Sequence, residues 1–244
     1  MADFVEIDSV LTVDNADSCL TLLISEDSEI HYELSEGFHE LLIVIRNEKP
    51  ITLKETGSIM NAELRITYIS LGETELTQHT EIDVREHAKL TVDSYYLVAA
   101  KKNVTFDLFI SCPDSSVNIT NSAVCLDGSS FDLDVVGTIV KGAKRAKCHQ
   151  TSRCLTIGKP KKLRADPVLK IDENDVEASH ALSSGTIDDD VLYYMNSRGL
   201  SHKEALVLLV QGYLLPESGD FQQFERGVEL LNEEEEKVQR ICSM

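Results

Sequence analysis

Apolar and polar side chains alternate with a period of two in short segments that recur along the chain, and this recurrence restricts the possible folds more than any other feature. The alternation is clearest in residues 63–69, 89–92, 104–110, 117–120 and 131–135. Such a pattern is typical of β-strands that bury one face. From residue 89 onward, each segment begins about 14 residues after the previous one. Roughly the first 175 residues are therefore predicted to form a repetitive β structure.

The connections between these segments carry few signals for tight hairpins. No Asn-Gly pair is present, and only Asp127 followed by Gly128 suggests a two-residue turn. A β-sandwich would also space its short strands by about 8–12 residues. Repetition without hairpins nevertheless favours a solenoid, in which each coil stacks on the preceding one.

The pattern becomes helical after Gly185. A turn is predicted over residues 183–185, which divides the chain into a β domain (1–185) and a C-terminal helical domain (186–244). The first helix is predicted over about residues 189–197, because Asp188 is a suitable N-cap and Gly199 suits the left-handed position after a helix. On this helix, one face is expected to carry Val191, Tyr194 and Met195.

Two further helices are predicted. The second begins at Ser201, which forms a capping box with Glu204, and ends before Pro216. Its residues 205–210 are apolar nearly all round, so we expect it to be buried. The third spans about residues 220–241 and carries an exposed acidic run.

Charge and hydropathy exclude two classes of partner. The net charge is −19, from 42 acidic and 23 basic residues, and such a field is unsuited to nucleic acid. The basic residues between positions 141 and 164 are expected to form an ordinary solvated face. No apolar run reaches the roughly 18 residues of a membrane span, and the acidic N-terminus lacks the basic region of a signal peptide. We therefore expect a cytoplasmic protein.

Six cysteines are scattered along the chain without a CxxC pair: Cys19, Cys112, Cys125, Cys148, Cys154 and Cys242. In a cytoplasmic chain of this size, this spacing does not predict a disulfide framework. Most of these cysteines are expected to be small buried apolar groups.

One region of the chain resembles a known family. The residues that carry the resemblance are 150–158 (QTSRCLTIG), 166–171 (DPVLKI), 179–181 (SHA), 185–188 (GTID), 192–194 (LYY) and 197–201 (SRGLS). In this order and spacing, they resemble the C-terminal core of the SufB/SufD family, the scaffold proteins of iron–sulfur cluster assembly. The resemblance covers roughly residues 140–215, and residues 1–140 match only as a repetitive β region.

The resemblance implies a right-handed parallel β-helix followed by a small C-terminal α-helical domain. It also implies that two such proteins pair through their β-helices, and that each helical region docks one SufC-type ABC ATPase. Longer members carry an N-terminal helical domain, so this chain resembles a compact version that forms a homodimer. It has no GxxxxGK[ST] phosphate-binding loop, so ATP would act only through the partner and the chain itself is not expected to be an enzyme.

The resemblance also identifies candidate ligands of a transient iron–sulfur cluster. His180 occupies the position of the Ser-His pair of the SufD pattern, with Ser179 and Ala181 as its neighbours. The SufB pattern places its cysteine six residues before the glycine of an Ile-Gly pair, and this position is Ser152 here. Cys154, two residues later on the same face of a strand, is the next candidate.

Cys148 is the weaker thiol candidate, and His149 is interpreted as structural because it faces the other way on a straight strand. The alternative for His180 is a hydrogen-bonded histidine at a subunit interface, and for the cysteines small core residues. Two other functions remain open: a partner-binding β-solenoid without cluster chemistry, and a β-helix carbohydrate-active enzyme. The absence of tryptophan and the 6% aromatic content disfavour the enzyme.

Overall fold

The computed structural model describes residues 3–7, 9–16, 19–214 and Glu233, and within them the β region forms two sheets. Sheet A contains β1 Asp3–Ile7, β3 Cys19–Ile24, β5 Gly37–Ile45, β7 Ala62–Ser70, β9 Lys89–Val98, β11 Ser116–Cys125, β13 Ala146–Thr156 and β15 Val176–Thr186. Sheet B contains β2 Val10–Asp14, β4 Ser28–Leu34, β6 Ile51–Ile59, β8 Leu76–Val84, β10 Lys101–Ile110, β12 Ser130–Ile139 and β14 Lys162–Ile171.

Successive strands alternate between the two sheets, and every pairing between neighbouring strands is parallel. One strand from each sheet makes one coil of the solenoid. Strands β7 to β12 begin at residues 62, 76, 89, 101, 116 and 130. The repeat of about 14 residues predicted from the sequence therefore corresponds to one strand, and successive strands lie in opposite sheets. The predicted parallel β-helix is confirmed.

The core lies between the two sheets and is built from columns of inward-facing side chains. Because the coils stack in register, one residue of each strand in sheet A occupies an equivalent place. One such column contains Leu41, Ile66, Val92, Ile119, Gln150 and His180. Its first four members are fully buried aliphatic residues, and burial of each contributes about 1.5–3 kcal/mol. Between β5 and β15, the column becomes polar in the last two coils.

A second polar feature lies deeper in the core, around the fully buried carboxylate of Glu55 on β6. It accepts hydrogen bonds from the hydroxyl groups of Tyr32 (2.6 Å), Tyr68 (2.8 Å) and Thr80 (2.7 Å), and from the amide of Gln78 (3.4 Å). Burial raises the pKa of Glu55, and these donors oppose that shift. The four donors provide the partners that a buried acid requires.

The last coil, formed by β14 and β15, ends both sheets within the described residues. Its inward-facing positions are consequently half-buried or exposed, although the equivalent positions one coil earlier are buried. The turn predicted over residues 183–185 is wrong, because β15 continues to Thr186 in register with β13. Pairing with β13 satisfies the backbone of these small residues, so the predicted break at residue 185 falls one residue inside the strand.

Two helices follow, α1 Asp189–Ser197 and α2 His202–Leu214. The predicted caps are confirmed. The Asp188 carboxylate accepts a hydrogen bond from the Asp190 N–H, and Gly199 has a φ of +96°. Ser201 donates its N–H and hydroxyl to the Glu204 carboxylate, both at 2.7 Å. The predicted third helix and Cys242 lie outside the described residues.

Helix α2 packs against the outer face of sheet A through Val210 and Leu214, which share a cluster with Leu97 and Val124. The prediction of a fully buried helix is wrong, because α2 contacts the sheet on one side and leaves 49% of Leu208 exposed. On α1 the buried residue is Leu192, whereas Val191 and Tyr194 of the predicted face are exposed. No helix among the described residues has the length and hydropathy needed to cross a membrane.

Candidate functional site

His180 lies in the middle of β15, on the open last coil, with its side chain exposed. Its Nδ1 is 3.1 Å from the carbonyl oxygen of Pro167 on β14. A carbonyl can only accept, so Nδ1 carries a proton, and in the neutral ring Nε2 then holds the lone pair. Metal-binding histidines are commonly oriented by this kind of hydrogen bond. Among the described residues, the arrangement leaves Nε2 of the neutral His180 ring as a nitrogen donor for a metal.

Gln150 on β13 is the in-register neighbour of His180. Only 1% of Gln150 is exposed, because the last coil covers it. Its Nε2 donates to the carbonyl oxygen of Val168 at 3.3 Å. Val168 directly follows Pro167, whose carbonyl oxygen accepts from His180. Its Oε1 is buried and has no hydrogen-bond partner among the described residues. The sequence analysis missed Gln150, since its importance depends on the register between coils.

The three other candidates also lie on β13 and, as predicted for Cys148 and Cys154, face the core together. Cys148, Ser152 and Cys154 are exposed by 0, 1 and 3%, respectively. Their in-register neighbours on β15 are Ala178, Leu182 and Ser184. Cys148 and Ser152 therefore lie diagonally beside His180, whereas Cys154 lies four positions along. Six residues of strand separate the two thiols by roughly 20 Å, so they cannot bind the same ion.

The thiols of the core are poor nucleophiles in this structure. Burial raises the pKa of Cys148 and of Cys154 to about 11 in each case, and that of Cys125 to about 12. Thiolates are the form that binds metal, so these thiols are protonated near neutral pH. Binding of iron by them would require that the last coil open or that the metal displace the proton.

Ser152 belongs to a ladder of polar side chains inside the solenoid. Ser94 donates to Oδ1 of Asn121 at 2.5 Å, and Nδ2 of Asn121 donates to the Ser152 hydroxyl at 3.3 Å. The residue at the position of the SufB-type cysteine is therefore held by a hydrogen bond in the core. Among the described residues, no group of three or more His, Cys, Asp or Glu side chains is arranged to hold a metal ion within one chain.

The basic stretch 141–164 is exposed and paired with carboxylates. Arg164 donates to Asp132 and Asp134 at 2.8 and 2.7 Å, and Lys162 lies 2.7 Å from Asp132. These pairs neutralise the positive charge locally. Part of the basic stretch is therefore an ion-paired outer face of sheet B.

Comparison with known proteins identifies the family to which this arrangement belongs. The family model described as "SUF system FeS cluster assembly, SufBD core domain" matches residues 43–213. The chain belongs to the SufBD family. The matched segment contains β6 to β15, α1 and all of α2 except its last residue, and so includes every residue of the candidate site.

Individual SufBD relatives agree with this assignment. The chain is 40% identical to the iron–sulfur cluster assembly protein SufD of Bacillus subtilis over 98 residues, which cover 40% of this chain and 22% of that protein. It is 34% identical to a SufBD family protein of Pyrococcus horikoshii over 204 residues, covering 77% of this chain and 44% of the relative. The chain thus spans less than half the length of these relatives.

Proposed function

We propose that this SufBD protein is a non-enzymatic scaffold on which an iron–sulfur cluster is built, working with a SufC-type ABC ATPase. The observation that carries the proposal is the position of His180. It is exposed on the last coil that the described residues form, with its Nδ1 held by the carbonyl oxygen of Pro167. A site at such an edge is open to a second protein and to iron and sulfide as cargo.

Pairing through the β-helix is supported by the chemistry of the last coil. Its side chains Val168, Ile171 and Leu182 are exposed by 38, 42 and 47%. Within the described residues, β14 and β15 are also the end strands of their sheets, and end strands present backbone groups for further pairing. The proposed occupant is a second copy of this chain, which would bring a second His180 to the same surface.

Docking of the ATPase on the helical region is supported by exposed aromatic residues on α1. Tyr193 and Tyr194 are exposed by 76 and 58%, and such residues are enriched at protein interfaces. Movement of the helices would reach the β body through α2, which packs on sheet A by Val210 and Leu214. The partner ATPase would bind and hydrolyse ATP. Closure of the ATPase subunits would then move the helices and open the last coil of the β-helix.

Two measurements on the 244-residue chain test the scaffold proposal. Co-expression with a SufC-type ATPase should yield a complex that is lost on deletion of residues 186–244 and weakened by Tyr193→Asp. Anaerobic addition of ferrous iron and sulfide should produce cluster absorbance that His180→Ala diminishes. The variants Cys148→Ser and Cys154→Ser, measured in the same way, show which of the two thiols contributes to the cluster absorbance. Absence of both the complex and the cluster would refute the proposal.

A second function is favoured by one observation, the high pKa of the buried thiols. With Cys148 and Cys154 buried and protonated, the chain could act as a partner-binding solenoid that does not bind a cluster itself. The complex with the ATPase would then form, whereas no variant of His180 or of the cysteines would change the absorbance after reconstitution.

A further inference from the structure

Two neighbouring side chains at the open end of the core are oriented in the same way. His180 donates through Nδ1 to the carbonyl of Pro167, and Gln150 donates through Nε2 to the carbonyl of Val168. The acceptors are consecutive residues of β14, and the donors are in-register neighbours on β15 and β13. Each side chain thus donates an N–H group to a carbonyl oxygen of β14. The atom that can donate an electron pair to a metal, Nε2 of His180 or Oε1 of Gln150, is not used in that hydrogen bond.

The carbonyl oxygen of Gln150 has no hydrogen-bond partner in the described part of the chain, although the residue is only 1% exposed. Buried amide oxygens are nearly always hydrogen-bonded, because leaving one unpaired is unfavourable. The four preceding members of the same column, from Leu41 to Ile119, are aliphatic. An aliphatic side chain would therefore fit the column without this cost. The presence of an amide at Gln150 indicates that its oxygen binds a partner outside the described chain.

Gly137 on β12 leaves the space that the amide of Gln150 occupies. A Cβ at this position would lie 2.8 Å from Nε2 of Gln150 and 2.6 Å from Sγ of Cys148. The lack of a side chain therefore gives space to the amide nitrogen. The nitrogen end of Gln150 is held between Gly137, Cys148 and Val168, and the oxygen end is left for another partner.

We propose that Oε1 of Gln150 and Nε2 of His180 form a two-donor site for a divalent transition-metal ion. An imidazole nitrogen and a carbonyl oxygen suit first-row divalent ions such as Fe²⁺. Water or the second copy fills the remaining coordination positions. The inference rests on the role of His180 in the proposed function and adds Gln150 as an oxygen ligand that binds iron before sulfide arrives.

The probe is Co²⁺ alone, without sulfide or ATPase, added to the reduced 244-residue chain and followed by its visible d–d absorption. The wild type should bind with a spectrum typical of mixed N,O coordination. Gln150→Ala should weaken binding about 10-fold or more, and His180→Ala should abolish it. Gly137→Ala, which changes no ligand atom, should also weaken binding, because it displaces the amide.

Gln78→Ala is the matched control, since Gln78 is an equally buried glutamine bonded to Glu55 and Tyr96. It should destabilise the fold but leave Co²⁺ affinity unchanged, and circular dichroism verifies that each variant is folded. Wild-type affinity in a folded Gln150→Ala variant, or absence of Co²⁺ binding by the wild type, overturns the inference. Neither result affects ATPase binding or cluster formation, so the scaffold proposal is judged separately.

Discussion

The hydroxyl of Tyr68 lies 2.8 Å from Oε2 of Glu55, and both residues are fully buried inside the solenoid. Tyr68→Phe removes this donor and leaves the acid with fewer partners. We expect a loss of about 1.5–3 kcal/mol in the free energy of unfolding, the range for hydrogen bonds to charged groups. Tyr96→Phe is the control, because it loses a bond to neutral Gln78 (2.9 Å) and should cost about 1 kcal/mol. Urea titration measures both, and equal effects would contradict the charged role of Glu55.

The raised pKa of Glu55 gives a second prediction. Burial lifts it above its ordinary value of 4.5. Between the unfolded and folded pKa values, the folded chain holds a proton that the unfolded chain has lost. The contribution of Glu55 to stability therefore falls as pH rises from about 4.5 through the folded pKa. The wild type should lose stability relative to Glu55→Gln over this interval in urea titrations at several pH values. A constant difference would show that the carboxyl titrates normally.

Glu173 should show the opposite pH dependence. Its carboxylate accepts hydrogen bonds from the N–H groups of Gly142 and Asn174, at 3.0 and 2.8 Å, which lower its pKa to about 2. A depressed folded pKa gives stability that is present above 4.5 and is lost as pH falls toward 2. Glu173→Gln should be less stable than the wild type at pH 7 and approach it near pH 2. An unchanged difference in melting temperature at both pH values would contradict this.

Gly57 on β6 allows two coils to stack closely. An added Cβ would lie 2.2 Å from the carbonyl oxygen of Tyr32 and 2.6 Å from its nitrogen, both backbone atoms. Gly57→Ala should therefore cost about 1–3 kcal/mol or more, as overpacking does. Gly212→Ala is the matched control, because nothing lies within 4 Å of its added Cβ. It should stabilise helix α2 by about 0.5–1 kcal/mol. Thermal unfolding should thus move in opposite directions for the two variants.

The sequence predicted the strands well but could not predict which residues meet across coils. The period of two placed Cys148 and Cys154 on one face, and both are buried there. Which of them lies near His180 depends on the register of β13 against β15, where Gln150 opposes His180. That register is set by the lengths of the loops and of β14 between them. The Glu55 cluster was missed for the same reason, because its donors come from three other strands. Exposure of Leu208 was missed because composition does not show which side of α2 meets the sheet.

The proposed homodimer gives the last prediction. Leu182 faces inward in register with Ser152, yet 47% of it is exposed. Among the described residues, β15 is the end strand of sheet A, and no further coil covers it. A second copy would cover it, so Leu182→Asp should place a charge in the interface and shift the chain from dimer to monomer. Analytical ultracentrifugation over a range of concentrations measures the shift. Truncating a central interface residue commonly costs about 2 kcal/mol or more, which raises the dissociation constant roughly 30-fold.

Phe109→Asp is the matched control, because Phe109 is 36% exposed on β10, which lies away from the last coil. It should leave the dimer intact. If both variants dissociate equally, the effect is a general one of charge on an already acidic chain. If neither does, the second copy does not pair through the last coil. Loss of dimer in Leu182→Asp alone, with unchanged melting of the isolated chain, assigns the interface to the coil that carries His180.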